Sequence, residues 1–194
     1  FLTEIKKEEA EKVLDQILKE KKITCSHRDL LEVSLIRGEK TIFQAPVIND
    51  AVISKAAIAR IVAMDVSVNG DLAANIRADG LIVSTPTGST AYSLAGGGPV
   101  VEPSVPALII TAICPHSLTQ RPMVISDQYE VEICRNDSPG QVLLTVDGQE
   151  AVDMIEGDTI KVRKFKKHPL YIASSRTRDY FGLLREKLHF GTKN

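Results

Sequence analysis

The sequence predicts a mainly β fold, and three features of its pattern support this prediction. Short apolar or alternating runs recur between residues 31 and 165, and turns rich in Gly, Pro, Asn and Asp separate them. Asn69-Gly70 and Asp147-Gly148 each lie between two such runs and are typical of tight β-hairpins. Long amphipathic helical patterns occur only near the two ends of the chain. We therefore expect roughly ten short strands flanked by two helices.

Each end of the chain carries one predicted helix. Residues 6–20 place apolar side chains at helical spacing, with acidic residues in the first turn and lysines near the end. Residues 178–190 repeat that spacing with Phe181, Leu184 and Leu188. The first helix is expected to pack its apolar face against another part of the protein.

The strands between these helices are predicted from alternation and from apolar runs. Apolar residues alternate with others in 31–36, and the two arms of the Asn69-Gly70 hairpin lie at 60–68 and 72–77. A continuous apolar run at 107–113 indicates a buried strand. Further short strands are expected at 41–45, 123–126, 129–134, 141–146, 150–153 and 158–165.

The stretch 79–99 carries the main functional signal. Its apolar run at 81–83 is broken by Pro86 and Gly88, and hydroxyl-bearing residues crowd into 84–90. A short helix is expected next, ended by a run of three glycines. This order of strand, turn and helix start aims free N–H groups and hydroxyls at one point, which suits a nucleotide.

A polar surface loop is the alternative interpretation of this stretch, because turn-rich loops are common. Two side chains favour a nucleoside site instead. The Asp79 carboxylate can accept protons from ribose hydroxyls or an amide, and the Tyr92 ring can cover a base. The stretch contains neither the Gly-x-x-x-x-Gly-Lys-Ser/Thr phosphate loop nor Gly-x-Gly-x-x-Gly.

Composition argues against several classes of partner. The 194 residues carry a formal net charge of −1, which gives no support to a nucleic-acid partner. No apolar run approaches the roughly 18–20 residues of a membrane span, so no membrane partner is expected. Cys25, Cys114 and Cys134 lie far apart without metal-ligand spacing, and we expect reduced thiols in a cytoplasmic protein.

The run from Asp79 to Tyr92, with Ser84-Thr85-Pro86-Thr87-Gly88-Ser89-Thr90 inside it, closely resembles the signature of the NAD kinases. The continuation Tyr-Ser-Leu-Ala-Gly-Gly-Gly-Pro is similar to bacterial members. Other matching segments occur in order along nearly the whole chain: Phe1-Leu2-Thr3-Glu4-Ile5, Ile48-Asn49-Asp50, Cys114-Pro115-His116-Ser117-Leu118, Arg121-Pro122 and Val146-Asp147-Gly148-Gln149. The resemblance implies a two-layer β-sandwich over 29–175, a helical lead-in at 1–28 and a carboxy-terminal helix within 176–194.

The resemblance also implies which residues contact NAD. The family has an Asn-Glu pair on the adenosine, where this chain has Asn49-Asp50 with a side chain one methylene shorter. The implied NAD-binding residues are Asn49, Asp50, Arg77, Asp79, Thr87, Thr90, Ala91, Tyr92, Ser93, Leu94, Ala95 and Gln149. Further candidates are Arg60, Cys114, His116 and Asp147, although His116 also suits a structural or subunit-contact role. We expect Asn49, Asp50, Asp79, Thr90 and Tyr92 to converge on one cleft.

The implied reaction transfers the γ-phosphoryl of ATP, or of polyphosphate, to the adenosine 2′-hydroxyl of NAD, with a divalent metal such as Mg²⁺. The family aspartate expected to accept the hydroxyl proton lies in a Gly-Gly-Asp-Gly motif, which the 194 residues lack. We therefore expect the NAD-binding domain of a homodimeric or homotetrameric kinase, inactive alone and with no catalytic residue of its own. The alternatives are a non-catalytic dinucleotide-binding or assembly module and a related lipid kinase.

Overall fold

A computed structural model describes residues 5, 7–21, 23–56, 61–136, 140–173 and 179–189. The chain divides into two units, one formed by 29–169 and the other by 1–28 together with 170–194. The domain boundary that we predicted between residues 175 and 176 lies outside the described residues.

The larger unit contains two six-stranded sheets in which neighbouring strands run antiparallel. The first sheet consists, in spatial order, of β3 (Lys40–Val47), β2 (Leu31–Arg37), β13 (Thr159–Lys164), β10 (Val131–Arg135), β5 (Val62–Val68) and β6 (Asp71–Ala78). The second consists of β12 (Glu150–Met154), β11 (Val142–Val146), β4 (Asp50–Lys55), β7 (Gly80–Ser84), β8 (Ala107–Ile113) and β9 (Met123–Ser126).

Apolar side chains from both sheets form one core. Alternate residues of each strand contribute to it, such as Val33 and Leu35 in β2 and Ala51 and Ile53 in β4. Full burial of an aliphatic side chain of this kind stabilises the fold by about 1.5–3 kcal/mol. The two sheets and their shared core confirm the predicted mainly β, two-layer sandwich.

β7 is buried on both faces, which explains its continuous apolar run. Leu81 and Val83 belong to the core, while Ile82 points to the other face and is also fully buried. A 3-10 helix (Thr87–Thr90) and α2 (Tyr92–Ala95) follow β7 and lie over that other face. The predicted order of strand, turn and short helix is therefore present.

Two turns of the larger unit are the predicted hairpins. Asn69-Gly70 joins β5 to β6, and Asp147-Gly148 joins β11 to β12. All four residues have positive φ, a conformation that Asn, Asp and Gly adopt at the least cost.

The smaller unit contains a 3-10 helix (Lys7–Glu9), α1 (Ala10–Glu20), β1 (Cys25–Arg28), β14 (Leu170–Ala173) and α3 (Tyr180–Leu188). β1 pairs antiparallel with β14, so the segment 1–28, which we predicted as a helical lead-in, also contains a strand. Each of the two strands has only four residues, too few for their alternation to be recognised in the sequence. No helix in the described part of the chain is both long and apolar enough to cross a membrane.

α3 is shorter than the predicted helix at 178–190. It begins after Asp179, whose carboxylate accepts a hydrogen bond from the Gly182 N–H at 2.6 Å. It ends at His189, which has a left-handed φ of 52°. Capping at both ends therefore sets its length.

Candidate functional site

The carboxy end of β7 lies beside the start of β4, and this places Asn49-Asp50 against the central motif. Asp50 is paired with Ser84 in the antiparallel register of the two strands. The Thr85 N–H donates to the Asn49 carbonyl at 2.9 Å, and the Thr85 hydroxyl donates to the Ile48 carbonyl at 2.6 Å. Two segments that are far apart in the sequence are thus held together by hydrogen bonds.

Gly88 allows the motif to approach this closely. A Cβ atom at that position would overlap the backbone carbonyl of Asn49. The Gly88 N–H also donates to the Thr85 hydroxyl at 2.9 Å, which closes the turn after β7. The glycine of the Thr-Pro-Thr-Gly-Ser-Thr run is therefore required by the contact with Asn49 rather than by its own φ angle.

Asp147 holds the same segment from the other side. Its carboxylate accepts hydrogen bonds from the N–H groups of Ile48 at 2.9 Å, Asn49 at 2.6 Å and Asp50 at 3.3 Å. The Asp147 N–H donates in turn to the Asp50 carbonyl at 2.9 Å. We call Asn49, Asp50, Asp147 and residues 85–92 the motif site.

The carboxyl of Asp50 is the electrostatically unusual group of the motif site. Asp50 is only 5% exposed. Its pKa is raised from the ordinary 3.8 to about 6. Burial is the largest cause, the negative charge of Asp147 adds to it, and a hydrogen bond from the Tyr92 N–H opposes both effects. Asp50 therefore carries a charge at neutral pH at an energetic cost.

Several groups of the motif site remain available to a ligand. Tyr92 is 47% exposed, and Ala91, beside it, is also exposed. The side-chain amide of half-buried Asn49 makes no hydrogen bond within the described residues. Gln149 is exposed on the β11–β12 turn that carries Asp147. An amide, a carboxylate and an aromatic ring at one place can bind the polar edge, the ribose and the face of a nucleoside.

Other predicted residues in the motif are less accessible. Thr87 is only 4% exposed, whereas Thr90, Leu94 and Ala95 are partly or fully exposed. Ser93 is fully buried, and its hydroxyl lies within hydrogen-bond distance, 3.1 Å, of the Thr111 hydroxyl. Its hydroxyl therefore anchors α2 to the sheet instead of facing a ligand, which differs from our prediction.

Within one chain Asp79 does not lie with the other four residues that we predicted to converge on one cleft. Asp79 lies at the amino end of β7, where its carboxylate forms an ion pair with the Lys55 ammonium at 2.6 Å. Antiparallel pairing with β4 sets Ser54 against Gly80 and Asp50 against Ser84. Asp79 and Thr85, which flank β7, are therefore separated by roughly 20 Å at 3.3 Å per residue.

Further predicted residues lie at the amino end of β7 with Asp79. The His116 N–H donates to the Arg77 carbonyl at 2.9 Å, and both residues are exposed. Cys114 follows β8 with a positive φ of 46° and is also exposed. We call Lys55, Arg77, Asp79, Cys114 and His116 the distal cluster. Arg60, the remaining candidate, lies outside the described residues.

Two roles in these groups were not predicted from the sequence. Asp147 was predicted only as a ligand contact, yet it binds three backbone N–H groups. Its position in an Asp-Gly turn was visible, but no sequence pattern shows which segment the carboxylate reaches. Lys55 was missed because a lysine at the end of a strand usually lies in solvent, and only the register reveals its pairing with Asp79.

Comparison with known proteins gives consistent matches. A family model described as the ATP-NAD kinase C-terminal domain matches residues 48–174. NAD kinases of Trichlorobacter lovleyi and Geobacter metallireducens are 46% and 44% identical to the chain, over 100% of its length and 67% and 68% of theirs. The structure of yeast NADH kinase with NADH superposes with a TM-score of 0.92 and 28% identity, covering 100% of this chain and 58% of the yeast chain. An Archaeoglobus fulgidus NAD kinase with ATP gives a TM-score of 0.76 and 26% identity, covering 95% and 69%.

Replacement of Asp50 by Asn is expected to stabilise the fold at pH 8 and to leave it unchanged at pH 4. The raised pKa makes ionised Asp50 unfavourable in the folded state, so its contribution to stability is present below about pH 4 and is lost as the pH rises through about 6. The difference in unfolding free energy should approach about 3 kcal/mol at pH 8. Urea denaturation of both proteins at the two pH values measures it.

Asp71→Asn is the matched control, because Asp71 is an exposed aspartate of the same chain at the start of β6. It should give no comparable gain in stability at pH 8. A D50N protein that is less stable than the parent at pH 8 would contradict the burial argument.

Proposed function

The chain belongs to the ATP-NAD kinase family, and on that premise we propose that its motif site holds NAD for phosphorylation of the adenosine 2′-hydroxyl. The phosphoryl donor in this proposal is ATP, or polyphosphate, and the product is NADP. The observation that carries the proposal is the contact of Asn49-Asp50 with the Thr-Pro-Thr-Gly-Ser-Thr-Ala-Tyr segment. The chain spans 58% of the yeast NADH kinase and 67% of the T. lovleyi enzyme. The whole reaction is therefore proposed for a protein of the length of those relatives.

The residues in and beside the motif site have proposed tasks in nucleoside binding. The Asn49 amide donates or accepts hydrogen bonds at the adenosine, and the Asp50 carboxylate accepts them. The Tyr92 ring covers the base, with Thr90 and Ala91 beside it. Further contacts around the nucleoside are proposed for Thr87, Leu94, Ala95 and Gln149. The Ser93 hydroxyl instead anchors α2 to the sheet through Thr111.

Asp50 is proposed as an acceptor of ribose hydroxyl protons in hydrogen bonds, not as the catalytic base. With a pKa of about 6 its carboxylate is mostly ionised at pH 7–8, which a hydrogen-bond acceptor for two hydroxyls requires. It is already held by the Tyr92 N–H, and its position is fixed by the strand pairing. The group that receives the 2′-hydroxyl proton is proposed to lie outside residues 1–194, which contain no Gly-Gly-Asp-Gly sequence.

Mg²⁺ is proposed to arrive with the phosphates of the donor. Within the described residues no group of three or more His, Cys, Asp or Glu side chains could hold a metal ion. Mg²⁺ commonly binds through substrate phosphates and only one or two carboxylates. When bound, Mg²⁺ neutralises charge on the transferred phosphoryl group, while the motif site positions the 2′-hydroxyl that accepts this group.

The distal cluster is proposed to contact a different ligand portion from the motif site. Because roughly 20 Å of strand separates Asp79 from Thr85, a single adenosine cannot touch both groups. Arg77 and Asp79 suit the remaining half of the dinucleotide, or a ligand held by a second copy of the chain. We expect that second copy in a homodimer or homotetramer. We also propose a cytoplasmic location, because all three cysteines are free thiols.

A non-catalytic dinucleotide-binding module is the second candidate for residues 1–194 taken alone. It shares the motif site with the first proposal and differs only in turnover. The lipid kinase alternative is disfavoured, because the matching family model and relatives are NAD kinases.

Tyr92→Ala is expected to weaken NAD binding about tenfold. Stacking of a base on an aromatic ring contributes about 1–3 kcal/mol, and Tyr92 is exposed enough for its removal to leave the fold intact. Isothermal titration of the 194-residue chain with NAD measures the change. Tyr129→Ala is the matched control, since Tyr129 is 43% exposed against 47% for Tyr92. Equal losses in the two variants would show that Tyr92 does not contact the base.

Residues 1–194 alone are expected not to phosphorylate NAD. General-base catalysis contributes about 10²–10⁴ in rate, and loss of donor positioning lowers the rate further. The assay is NADP formation from ATP, Mg²⁺ and NAD, run beside the full-length T. lovleyi NAD kinase. Turnover within tenfold of that enzyme would place the catalytic group inside this chain and overturn the proposed division of roles.

A further inference from the structure

We propose that Asp147 is a positioning residue, which fixes the backbone of Ile48, Asn49 and Asp50 in the conformation that binds the nucleotide. This inference rests on the proposed function of the motif site. Asp147 acts through the segment it holds, so it is distinct from the residues that touch the ligand.

The hydrogen bonds of Asp147 replace strand pairing where that pairing stops. The pairing of β4 with β11 begins at Ala51, which lies opposite Val146. The residues just before Ala51 have no partner residue in β11, and the two carboxylate oxygens of Asp147 accept hydrogen bonds from three of their N–H groups. A single side chain therefore orders the segment on the side where its pairing with β11 has ended.

The peptide groups of Asn49 are held on both sides as a result. Its N–H donates to Asp147 at 2.6 Å, and its carbonyl accepts from the Thr85 N–H at 2.9 Å. The Asn49 side chain makes no hydrogen bond within the described residues, so its position depends on this backbone. Removal of the Asp147 carboxylate would free the segment that carries both adenosine contacts.

The turn by itself does not require a carboxylate at this position. The β5–β6 hairpin makes a similar turn with Asn69 at φ 51° and Gly70 at φ 87°, against 48° and 65° for Asp147 and Gly148. Asn and Gly therefore satisfy the backbone demand equally well. What they lack is a second acceptor oxygen and the charge that strengthens hydrogen bonds from N–H groups.

The same carboxylate disfavours the ionised form of Asp50. β7, β8 and β11 near Asp50 carry no ionisable side chain, and the 3-10 helix and α2 bring only the Tyr92 phenol. Asp147 is the carboxylate that faces Asp50, and its charge adds to burial in raising the Asp50 pKa. Positioning by Asp147 and repulsion of Asp50 are thus two effects of one group, and substitutions can separate them.

Two substitutions of Asp147 test the proposal. Asp147→Gly removes both oxygens and retains a residue suited to positive φ, so NAD affinity should fall at least tenfold between pH 5 and pH 8.5. Asp147→Asn retains one acceptor oxygen and the turn preference, so the loss at pH 8 should be smaller, about threefold. The Asn variant should also retain affinity to lower pH than the parent, because the charge beside Asp50 is gone.

Asn69→Gly is the matched control, because it removes a side chain from the equivalent position of the other hairpin, where Asn69 accepts the Glu130 N–H at 2.9 Å. Its NAD affinity should equal that of the parent. Titration calorimetry gives the affinities, and amide hydrogen exchange gives a readout without ligand. In D147G the Ile48 and Asn49 amides should exchange at least tenfold faster than in the parent, relative to core amides such as Val83.

The outcomes separate this inference from the proposed function. If D147G binds NAD as tightly as N69G while Tyr92→Ala weakens binding, Asp147 is not a positioning residue and the motif site still stands. If D147G does not fold, an Asn variant with parental affinity at pH 8 and an unshifted pH profile overturns the inference. If the parent chain binds no NAD, the proposed function fails and this inference fails with it.

Discussion

The antiparallel pairing of β4 with β7 is the constraint on which the rest of the site depends. Its register sets Asp50 against Ser84, so Ala51 and Val83 point into the core while Asp50 and Ser84 point to the opposite face. A slip of one residue would turn Asp50 into the apolar core, which would cost several kcal/mol for a buried charge. The same apolar alternation that stabilises the sandwich therefore also fixes the side chains that we propose to bind the nucleotide.

This arrangement buries polar groups at positions where they contribute little to the stability of the fold. Asp50 is nearly buried and lies near a second carboxylate, and the Ser84 hydroxyl is buried without a hydrogen-bond partner in the described structure. Such groups destabilise a folded protein unless a ligand or water satisfies them. We interpret this local cost as a consequence of the proposed nucleotide binding. The hydrogen bonds of Asp147 and Thr85 hold the segment in place despite that cost.

Much of the fold could be predicted from the sequence because its signals are local. Alternation, the Asn69-Gly70 and Asp147-Gly148 turns, and the apolar run of β7 each depend on a few adjacent residues. The association of Asn49-Asp50 with the central motif came from family resemblance, since nothing local links the two segments. The pairing of β1 with β14 was missed because both strands are short and join opposite ends of the chain.

The errors about the site have a common physical origin. Asp79 and Tyr92 are near in sequence, and we assigned them to one cleft, but a buried strand lies between them and carries them to opposite ends of a sheet. The resemblance implied Ser93 as a ligand contact, whereas its hydroxyl lies within hydrogen-bond distance of the Thr111 hydroxyl. Strand direction and pairing register determine which of several polar side chains lie close together, and neither can be read directly from the sequence.

The central claim is that the carboxy end of β7 binds the adenosine of NAD, and a crystal structure of the 194-residue chain with NAD tests it most directly. The account predicts that the base lies against the Tyr92 ring and that a ribose hydroxyl lies about 2.5–3.0 Å from the Asp50 carboxylate. Adenosine bound instead at Arg77 and Asp79, with the motif site free of ligand, would contradict it.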